Sequence, residues 1–182
     1  MEEEKTGEDA STDAEDDIEV PLAEESLLYE VLTSSSRGQM VLHPTRDQYL
    51  DTICQISDDG FAVCIDLTAV DYLENPEREI PSAISPERFE VVVNLLSHTK
   101  KERIRLRVQI PESDPVLPTV FDIYPGSEAL EREVYDLFGI EFDGHPDLTR
   151  ILMPENWDGH PLRKDHAVGE IPVQFKDAPG AG

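Results

Sequence analysis

Histidines, arginines and acidic residues are concentrated between positions 131 and 166. The stretch reads EREVYDLFGIEFDGHPDLTRILMPENWDGHPLRKDH and holds three of the five histidines. Such residues can bind a metal, catalyse acid–base chemistry, or build a structural network of charge-assisted hydrogen bonds. Their spacing decides between these three hypotheses.

A metal or hydrolytic site would use the three histidines together with nearby aspartates. The histidines are separated by 15 and 6 positions, which matches no common ligand motif such as two histidines one helical turn apart. A stand-alone metal enzyme is therefore the weakest of the three hypotheses. Its candidate ligands are His145, His160, His166, Asp143, Asp147 and Asp165.

Acid–base catalysis would need Glu131, Glu133 and Asp136 to share a cleft. The three acids fall on one predicted helix, where Arg132 stands four positions from both Glu128 and Asp136. Such spacing favours ion pairs on the helix surface, which explain the acids without catalysis. We therefore favour a network in which arginines bind carboxylates and turn carbonyls while histidines bind turn backbones.

The composition excludes several classes of function. The chain has 182 residues, with 15 Lys and Arg against 40 Asp and Glu, and a net charge of -25. This balance argues against binding to nucleic acid or directly to an anionic membrane. Two cysteines, Cys54 and Cys64, are too few for a four-cysteine iron–sulfur or zinc site. The phosphate-binding patterns GxGxxG and GxxxxGK[ST] and the nucleophile pattern GxSxG are absent from this sequence.

The N-terminal segment differs from the rest of the chain. Residues 1–25 contain twelve acids and one lysine, and no apolar periodicity precedes Ile18. We expect this segment, called the tail below, to be disordered because it repels itself and has little to bury. It lacks the features of a secretory signal, and the sequence has no apolar run of membrane-spanning length, so we expect a cytoplasmic protein.

The first half of the body is predicted to alternate between helices and strands. Apolar residues at helical spacing predict a helix with Tyr49, Ile53 and Ile56 on one face. Pro44 suits the first turn of this helix. Alternation from Phe61 predicts a strand, followed by a polar loop. A helix is also predicted over 26–36, ended by Gly38, with Leu27, Leu28, Val31 and Leu32 as its apolar side. The remaining predicted elements are a strand over 39–42 and the loop over 73–86.

The clearest pattern is a pair of strands, FEVVVNLLS over 89–97 and RIRLRVQI over 103–110. The second strand alternates apolar residues with Arg103, Arg105 and Arg107, which predicts an antiparallel hairpin with one solvated face. The arginine face is either simply solvated or contacts an acidic partner. A short strand is predicted over 120–125.

A second helix is predicted over 128–138. Ser127 is placed to cap it with its side chain, and Glu128 lies in its first turn. Leu130, Val134, Leu137 and Phe138 form its apolar stripe, and Gly139 is placed to end it in the left-handed conformation.

These elements predict an α+β fold, with a small mixed or antiparallel sheet, a central hairpin packed by helices, and an irregular C-terminal arm. We divide the chain into the tail (1–25), the α+β domain (26–144) and the arm (145–182). The arm has many apolar residues and the only tryptophan, Trp157, but no periodicity. We favour an interface with another protein for the arm over packing on its own domain.

Several motifs resemble one family. They are ERE at 131–133, YDLFGI at 135–140, GHPDL at 144–148, RIL at 150–152 and GHPLRKD at 159–165, with DLTAVDY upstream at 66–72. The chain resembles the C subunit of bacterial NADH-quinone oxidoreductase, the 30 kDa-class subunit of respiratory complex I. The residues that carry the resemblance, and that we expect to form an interface, are Glu131, Arg132, Glu133, Tyr135, Asp136, Phe138, Gly139, His145, Pro146, Asp147, Arg150, Trp157, Gly159, His160, Pro161, Arg163, Lys164 and Asp165.

The resemblance implies an α+β scaffold subunit of the peripheral arm, on the cytoplasmic side of the cell membrane. It implies a hetero-oligomer with the 49 kDa-class subunit, called the D subunit, and with other peripheral-arm subunits, and it implies that the C-terminal arm extends along the D subunit. Permanent complexes of this kind have large apolar interfaces. It implies no cofactor and no active site in this chain, the FMN and iron–sulfur clusters belonging to other subunits. The homologous subunit of a membrane-bound hydrogenase, or of a quinone reductase linked to F420 or ferredoxin, remains an alternative.

Overall fold

The computed structural model describes residues 26–167, so the tail and the distal part of the arm lie outside the described residues. Eight strands and two α-helices are defined in this range, with a single 3₁₀ turn at Pro125–Ser127. Their bounds are β1 Ser26–Leu28, β2 Val31–Ser36, β3 Gln39–His43, α1 Arg46–Asp58, β4 Val63–Asp71, β5 Phe89–Ser97, β6 Glu102–Ile110, β7 Val116–Pro118, α2 Glu128–Phe138 and β8 Glu141–Asp143.

Six strands form one mixed sheet in the order β1-β2-β3-β6-β5-β4. The β5–β6 hairpin lies near its centre, with Val93 opposite Leu106. All neighbouring strands are antiparallel except β3 and β6, which pair in parallel with Met40 beside Ile104. Strands β7 and β8 form a separate two-stranded parallel ladder. The predicted α+β fold with a central hairpin is therefore confirmed.

The hydrophobic core lies on one face of the sheet. Alternate residues of the hairpin, such as Val93 and Leu106, are fully buried there with Ile53 of α1 and Val134 of α2. Helix α1 begins at a capping box, in which Thr45 and Gln48 each bind the other's backbone N–H. Pro44 therefore precedes the cap, and its predicted place in the first turn is wrong. Neither helix within residues 26–167 is long and apolar enough to cross a membrane.

The helix predicted over 26–36 is wrong, because this segment forms the β1–β2 hairpin. Tyr29 and Glu30 both have positive φ angles, 54° and 63°, and make the two-residue turn. Strand β2 then pairs along its length with β3, and tertiary pairing outweighs the apolar spacing that suggested a helix. Leu27, which the helix hypothesis placed on an apolar side, is 68% exposed on the edge strand.

The strand predicted over 120–125 is also wrong. The Ile123 and Tyr124 amides both donate to the Val120 carbonyl, so the segment is a turn. The turn aims the Tyr124 hydroxyl at the Phe61 carbonyl, 2.7 Å away. The strand of this region lies earlier, at β7, where Val116 to Pro118 pair with β8.

Strand β4 departs from simple alternation. A bulge between Cys64 and Asp66 shifts the register against β5. As a result Val63 and Ile65 are exposed, although Leu67 further along the strand is buried. A period-two pattern cannot reveal such an inserted residue, because the pattern looks continuous in the sequence.

Candidate functional site

The predicted site residues surround the C-terminal end of helix α2. Gly139 follows the helix with φ 70°, and its amide donates to the Tyr135 carbonyl at 2.9 Å, as predicted for a left-handed cap. Such an end leaves several backbone carbonyls without partners inside the helix. The described part of the arm, residues 145–167, lies against these carbonyls.

Three consecutive carbonyls at the end of α2 bind donors from the arm. His160 Nδ1 lies 3.0 Å from the Asp136 carbonyl oxygen, so this nitrogen carries a proton and donates. The Leu162 amide donates to the Leu137 carbonyl at 3.0 Å, and Arg163 Nε donates to the Phe138 carbonyl at 2.5 Å. The arm therefore completes the hydrogen bonding of the helix to which it is attached.

The side chain of Asp136 forms the centre of the site and is fully buried. Its Oδ2 atom accepts from three successive amides, those of Ile151, Leu152 and Met153, at 3.1, 2.8 and 2.8 Å. Its Oδ1 atom accepts from Arg150 Nη1 at 2.6 Å. Burial raises the pKa of Asp136, but these donors outweigh burial and hold the pKa below the usual value of an aspartate.

Arg150 and Arg132 form hydrogen bonds between the start of the arm and helix α2, and Arg150 also binds a second turn of the arm. Arg150 binds Asp136, and its Nη2 atom also donates to the Gly159 carbonyl at 3.0 Å, which links two turns of the described part of the arm. Arg132 donates through Nε and Nη2 to the Thr149 carbonyl and hydroxyl oxygens, at 3.1 and 3.0 Å. The same Nη2 atom reaches the Arg150 carbonyl at 3.2 Å.

The predicted bridge from Arg132 to both Glu128 and Asp136 is wrong. Arg132 approaches Glu128 only to 3.9 Å, and Asp136 is bound by Arg150 and the arm amides instead. These three helix residues do lie one helical turn apart. However, Arg132 donates to carbonyl oxygens of the arm, and Asp136 accepts from arm donors. Sequence spacing within one helix cannot account for a second segment that covers it.

Glu131 forms a second buried centre, on the side of α2 that faces the β7–β8 ladder. Its carboxylate accepts from Thr119 Oγ1 at 2.5 Å and from the Val120 amide at 2.8 Å, and His145 Nε2 lies 3.8 Å away. Burial raises the pKa of Glu131, although the hydrogen bonds that its carboxylate accepts oppose the shift. The predicted side-chain cap by Ser127 is wrong, because its hydroxyl points to Glu131 at 3.5 Å.

His145 fastens the start of the arm to the first turn of α2. Its Nδ1 atom accepts from the Asp147 amide at 3.1 Å, so Nε2 carries the proton and donates to the Glu128 carbonyl at 3.2 Å. Like His160, this histidine therefore binds turn and helix backbone. These contacts correspond to the structural network that the sequence favoured.

A third cluster connects Lys164 and Asp165 of the arm to the sheet. Asp71, at the end of β4, accepts from Arg88 at 2.8 and 3.1 Å and from the Lys164 amide at 2.9 Å. Arg88 also binds Asp165 at 2.7 Å and Glu112 at 2.5 Å. Burial raises the pKa of Asp71, yet the bonds from Arg88 and from backbone amides hold the pKa below its usual value.

The other predicted site residues are less tightly bound. Glu133, Pro146, Asp147 and the Lys164 side chain are exposed, and Pro161 is half-buried. Tyr135 and His160 meet edge to face, with ring centroids 6.4 Å apart. Trp157 is half-buried, but its indole Nε1 is buried without a hydrogen-bond partner among the described residues.

The catalytic and metal hypotheses gain no geometric support from the described residues. Glu131 and Asp136 are buried in separate networks and Glu133 is exposed, so the three acids share no cleft. Within residues 26–167, no three His, Cys, Asp or Glu side chains converge as metal ligands. Cys54 is exposed and Cys64 half-buried, and both thiols are free.

Sequence reasoning missed three residues of the site. Asp71 and Arg88 bind the arm at Lys164 and Asp165, and Thr119 binds Glu131. Asp71 lies within the upstream motif at 66–72, so the motif was noticed but its link to the arm was not. Arg88 and Thr119 carry no signal in a single sequence, because their partners lie on other elements of the fold.

The arginine stripe of β6 is largely engaged within the molecule. Arg107 binds the buried Glu90 at 2.6 Å, and Arg105 binds Asn94 and Gln39 at 3.0 Å. Both arginines therefore stabilise the outer face of the sheet. Arg103 is exposed.

The arm turns large apolar side chains away from the domain. The backbone amides of Leu152 and Leu162 are bound to Asp136 and to the Leu137 carbonyl, but their side chains are 59% and 48% exposed. Ile151, also bound through its amide, is 40% exposed. We call these three side chains the arm patch.

Comparison with known proteins identifies the family. The family model described as the respiratory-chain NADH dehydrogenase 30 Kd subunit matches residues 42–171. The C subunit of the NADH-quinone oxidoreductase of Saccharopolyspora erythraea is 45% identical over 145 residues, which are 78% of this chain and 55% of that protein. The NADH-quinone oxidoreductase subunit 5 of Thermus thermophilus is 44% identical over 137 residues, 72% of this chain and 63% of that protein. The chain thus spans just over half the length of the first of these relatives.

Two solved structures share the fold. A trypsin-resistant fragment of Nqo5 is 38% identical, with a TM-score of 0.58 over 64% of this chain and 88% of the fragment. A chain of the membrane-bound sulfane sulfur reductase, an archaeal respiratory membrane complex, has a TM-score of 0.61 over 87% of this chain and 89% of that one. At 24% identity, the latter likeness concerns the fold alone. The family-model match and the two relatives above establish that the chain belongs to the family of the respiratory-chain NADH dehydrogenase 30 Kd subunit.

Proposed function

We propose that this chain is a non-catalytic scaffold subunit of a proton-translocating NADH:quinone oxidoreductase. In this proposal it binds the D subunit, near the quinone site, through the arm patch of Ile151, Leu152 and Leu162. The chain then lies on the cytoplasmic side of the membrane and associates with the membrane only through the complex. The FMN and iron–sulfur clusters reside in other subunits.

The observation that carries the proposal is the way the arm patch is held. Asp136 and the end of α2 fix the backbone at Leu152 and Leu162, and the apolar side chains still face outward. Exposed apolar residues on a preorganised backbone are typical of binding surfaces, because little conformational freedom remains to be lost on association. A segment that served only to cover its own domain would turn these side chains inward.

The interior of the site supports a scaffold more than an enzyme. The buried carboxylates of Asp136, Glu131 and Asp71 are each saturated by donors from the chain itself. A catalytic acid or base must instead reach a substrate with a free position. Such saturated polar networks hold a surface in one shape.

The test is purification of the intact complex from native membranes in mild detergent, through a tag on this chain. The recovered subunits are identified by mass spectrometry, and NADH:quinone activity is assayed. Leu152→Glu places a charge in the arm patch, and Leu27→Glu places the same charge on a leucine that is 68% exposed on the edge strand β1. Both exposed substitutions should leave the urea midpoint of the isolated chain unchanged.

We expect Leu152→Glu to reduce co-purification of the D subunit at least about tenfold, because a desolvated, unpaired charge is costly at an interface. Leu27→Glu should co-purify as the wild type does. Normal assembly of the Leu152→Glu chain would exclude docking through this patch. Recovery of the wild-type chain alone would exclude the subunit role, and recovery with subunits of another electron-donor module would replace NADH as the donor.

A further inference from the structure

A cleft of about 860 Å³ opens where the β5–β6 hairpin turns. Its apolar floor includes Leu28, Met40, Phe61 and Ile104, and Met40 is 45% exposed although it lies on the core side of β3. Lys101 and Arg103 stand at its rim. We call it the hairpin-end cleft.

Most of the unpaired positive charge of residues 26–167 lies at the hairpin-end cleft. Residues 26–167 contain thirteen lysines and arginines, of which seven form ion pairs and two more, Arg105 and Arg163, donate hydrogen bonds to uncharged oxygens. The other four, which are Arg37, Lys101, Arg103 and Lys164, have no such side-chain partner in this range. Arg37, Lys101 and Arg103 lie at this one end of the sheet.

The backbone places these three cations together. Arg37 precedes Gly38, which lines the cleft, and the parallel pairing of Met40 with Ile104 brings the β2–β3 turn beside the start of β6. Lys100 is neutralised by Asp59, 2.6 Å away, and Glu102 offsets one further charge. The cleft retains a local excess of positive charge on a protein whose residues 26–182 sum to -14.

We propose that the tail, residues 1–25, binds in the hairpin-end cleft. The tail has a net charge of -11, so most of the acidic body repels it and this cleft is the exception. The apolar floor matches Ile18, Val20 and Leu22, the three large apolar residues near the end of the tail. The tail thus occupies a surface of its own chain that is separate from the arm patch.

The chain can make this contact without long-range rearrangement. Leu28 lines the cleft only three positions after the last tail residue. Each residue extends the chain by up to about 3.5 Å, so the 25 tail residues reach any part of the cleft. Because attraction between exposed charges is screened over about 10 Å in 0.1 M salt, the contact is salt-sensitive.

The test uses the full chain with a nitroxide spin label at Ser11→Cys, after Cys54→Ser and Cys64→Ala remove the native thiols. Amide signals near the label are broadened in NMR spectra. In about 50 mM salt we expect the amide intensities of residues 98–104 to fall at least about twofold, and to recover in about 500 mM salt. The triple variant Arg37→Glu, Lys101→Glu, Arg103→Glu should abolish the broadening.

Lys164→Glu is the matched control, because Lys164 is the fourth unpaired cation and lies on the arm. This variant should leave the broadening at residues 98–104 intact. Absence of broadening in the wild type, or broadening centred on another surface, would overturn the proposal. Broadening that grows with protein concentration would assign the cleft to the tail of a second copy and would overturn the intramolecular contact. None of these outcomes depends on assembly with other subunits.

Discussion

Arg150 Nη1 lies 2.6 Å from the Oδ1 atom of Asp136, whose side chain is fully buried in the last turn of α2. This contact crosses from the arm to the helix, and the same carboxylate binds the three amides that follow Arg150. A single buried charge therefore organises four consecutive residues of an irregular segment. The backbone at the two exposed leucines of the arm patch is fixed by hydrogen bonds to this end of the helix.

Replacing Asp136 should destabilise the protein strongly. Asp136→Ala leaves the Arg150 guanidinium and three amides without their acceptor, which we expect to cost about 3–5 kcal/mol in free energy of unfolding. Urea denaturation measures this loss. Glu133→Ala, an exposed acid on the same helix, should change stability by less than about 0.5 kcal/mol. Equal effects of the two variants would contradict the central role of Asp136.

Two glycine variants separate backbone strain from steric contact. Gly38 and Gly139 have similar positive φ angles, 74° and 70°. A Cβ atom at Gly38 meets nothing within 4 Å, whereas at Gly139 it lies 2.5 Å from His160 Nε2 and 2.7 Å from Arg163 Nη2. Gly38→Ala should cost about 1 kcal/mol for the left-handed backbone, and Gly139→Ala clearly more.

The excess cost of Gly139→Ala reports displacement of the arm from the helix end. His160 and Arg163 both donate to α2 carbonyls, so a shift of either one breaks capping hydrogen bonds. Thermal unfolding of both variants gives the difference in stability. If Gly38→Ala proved the more destabilising variant, the close packing of His160 against Gly139 would be wrong.

Arg132→Ala should loosen the arm more than it lowers global stability. A surface pair with Glu128 alone would contribute only about 0.5 kcal/mol. The hydrogen bonds to Thr149 and Arg150 add to this, so we expect a loss of about 1–2 kcal/mol. Hydrogen exchange at Ile151 to Met153 should accelerate. Glu128→Ala, which removes only the 3.9 Å ion pair, should leave that exchange unchanged.

The stability should fall on acidification because of His43. Burial and then the nearby Arg107 lower the pKa of His43 to about 4, although Glu90 opposes the shift. Between pH 6.5, the usual pKa of histidine, and pH 4, the unfolded chain therefore binds more protons than the folded one. This difference contributes a loss of up to about 1.4 kcal/mol per pH unit as the pH falls.

The variant His43→Gln keeps a group that can bind Ser34, whose hydroxyl lies 2.8 Å from His43 Nε2, but it does not titrate. Urea midpoints between pH 7.5 and 4.5 should therefore depend less on pH in this variant. His160, whose pKa burial also lowers, contributes in the same direction and remains in both proteins. An unchanged slope in His43→Gln would refute the assignment to His43.

Periodic segments that form their own contacts could be predicted from the sequence. Strands β5 and β6, helix α1, and helix α2 ended by Gly139 were all predicted, because each pattern depends on neighbouring residues. The β1–β2 hairpin was missed because its strand character comes from pairing with β3. Local spacing of Leu27, Leu28 and Val31 favoured a helix instead.

The predicted site residues are clustered correctly, but their partners are not deducible from spacing. Asp136 was matched with Arg132 at helical distance, whereas its true partner, Arg150, belongs to a segment without periodicity. Asp71 and Arg88 were missed because 93 positions separate Asp71 from Lys164, whose amide it binds. Contacts over such distances follow from the tertiary fold and leave no pattern in one sequence.

The parallel pairing of β3 with β6 has a consequence for the order of folding. Met40 and Ile104 are neighbours in the sheet although 64 positions separate them, and α1, β4 and β5 lie between them in the chain. Strands β1 to β3 are close in sequence and can pair with one another soon after synthesis. The edge of β3 that faces β6 stays unpaired until β6 has been synthesised. Contacts of such sequence separation slow folding, because the intervening chain must be ordered before the pair closes. Pairing of β3 with β6 is therefore the long-range contact that joins strands β1 to β3 and strands β4 to β6 in one sheet.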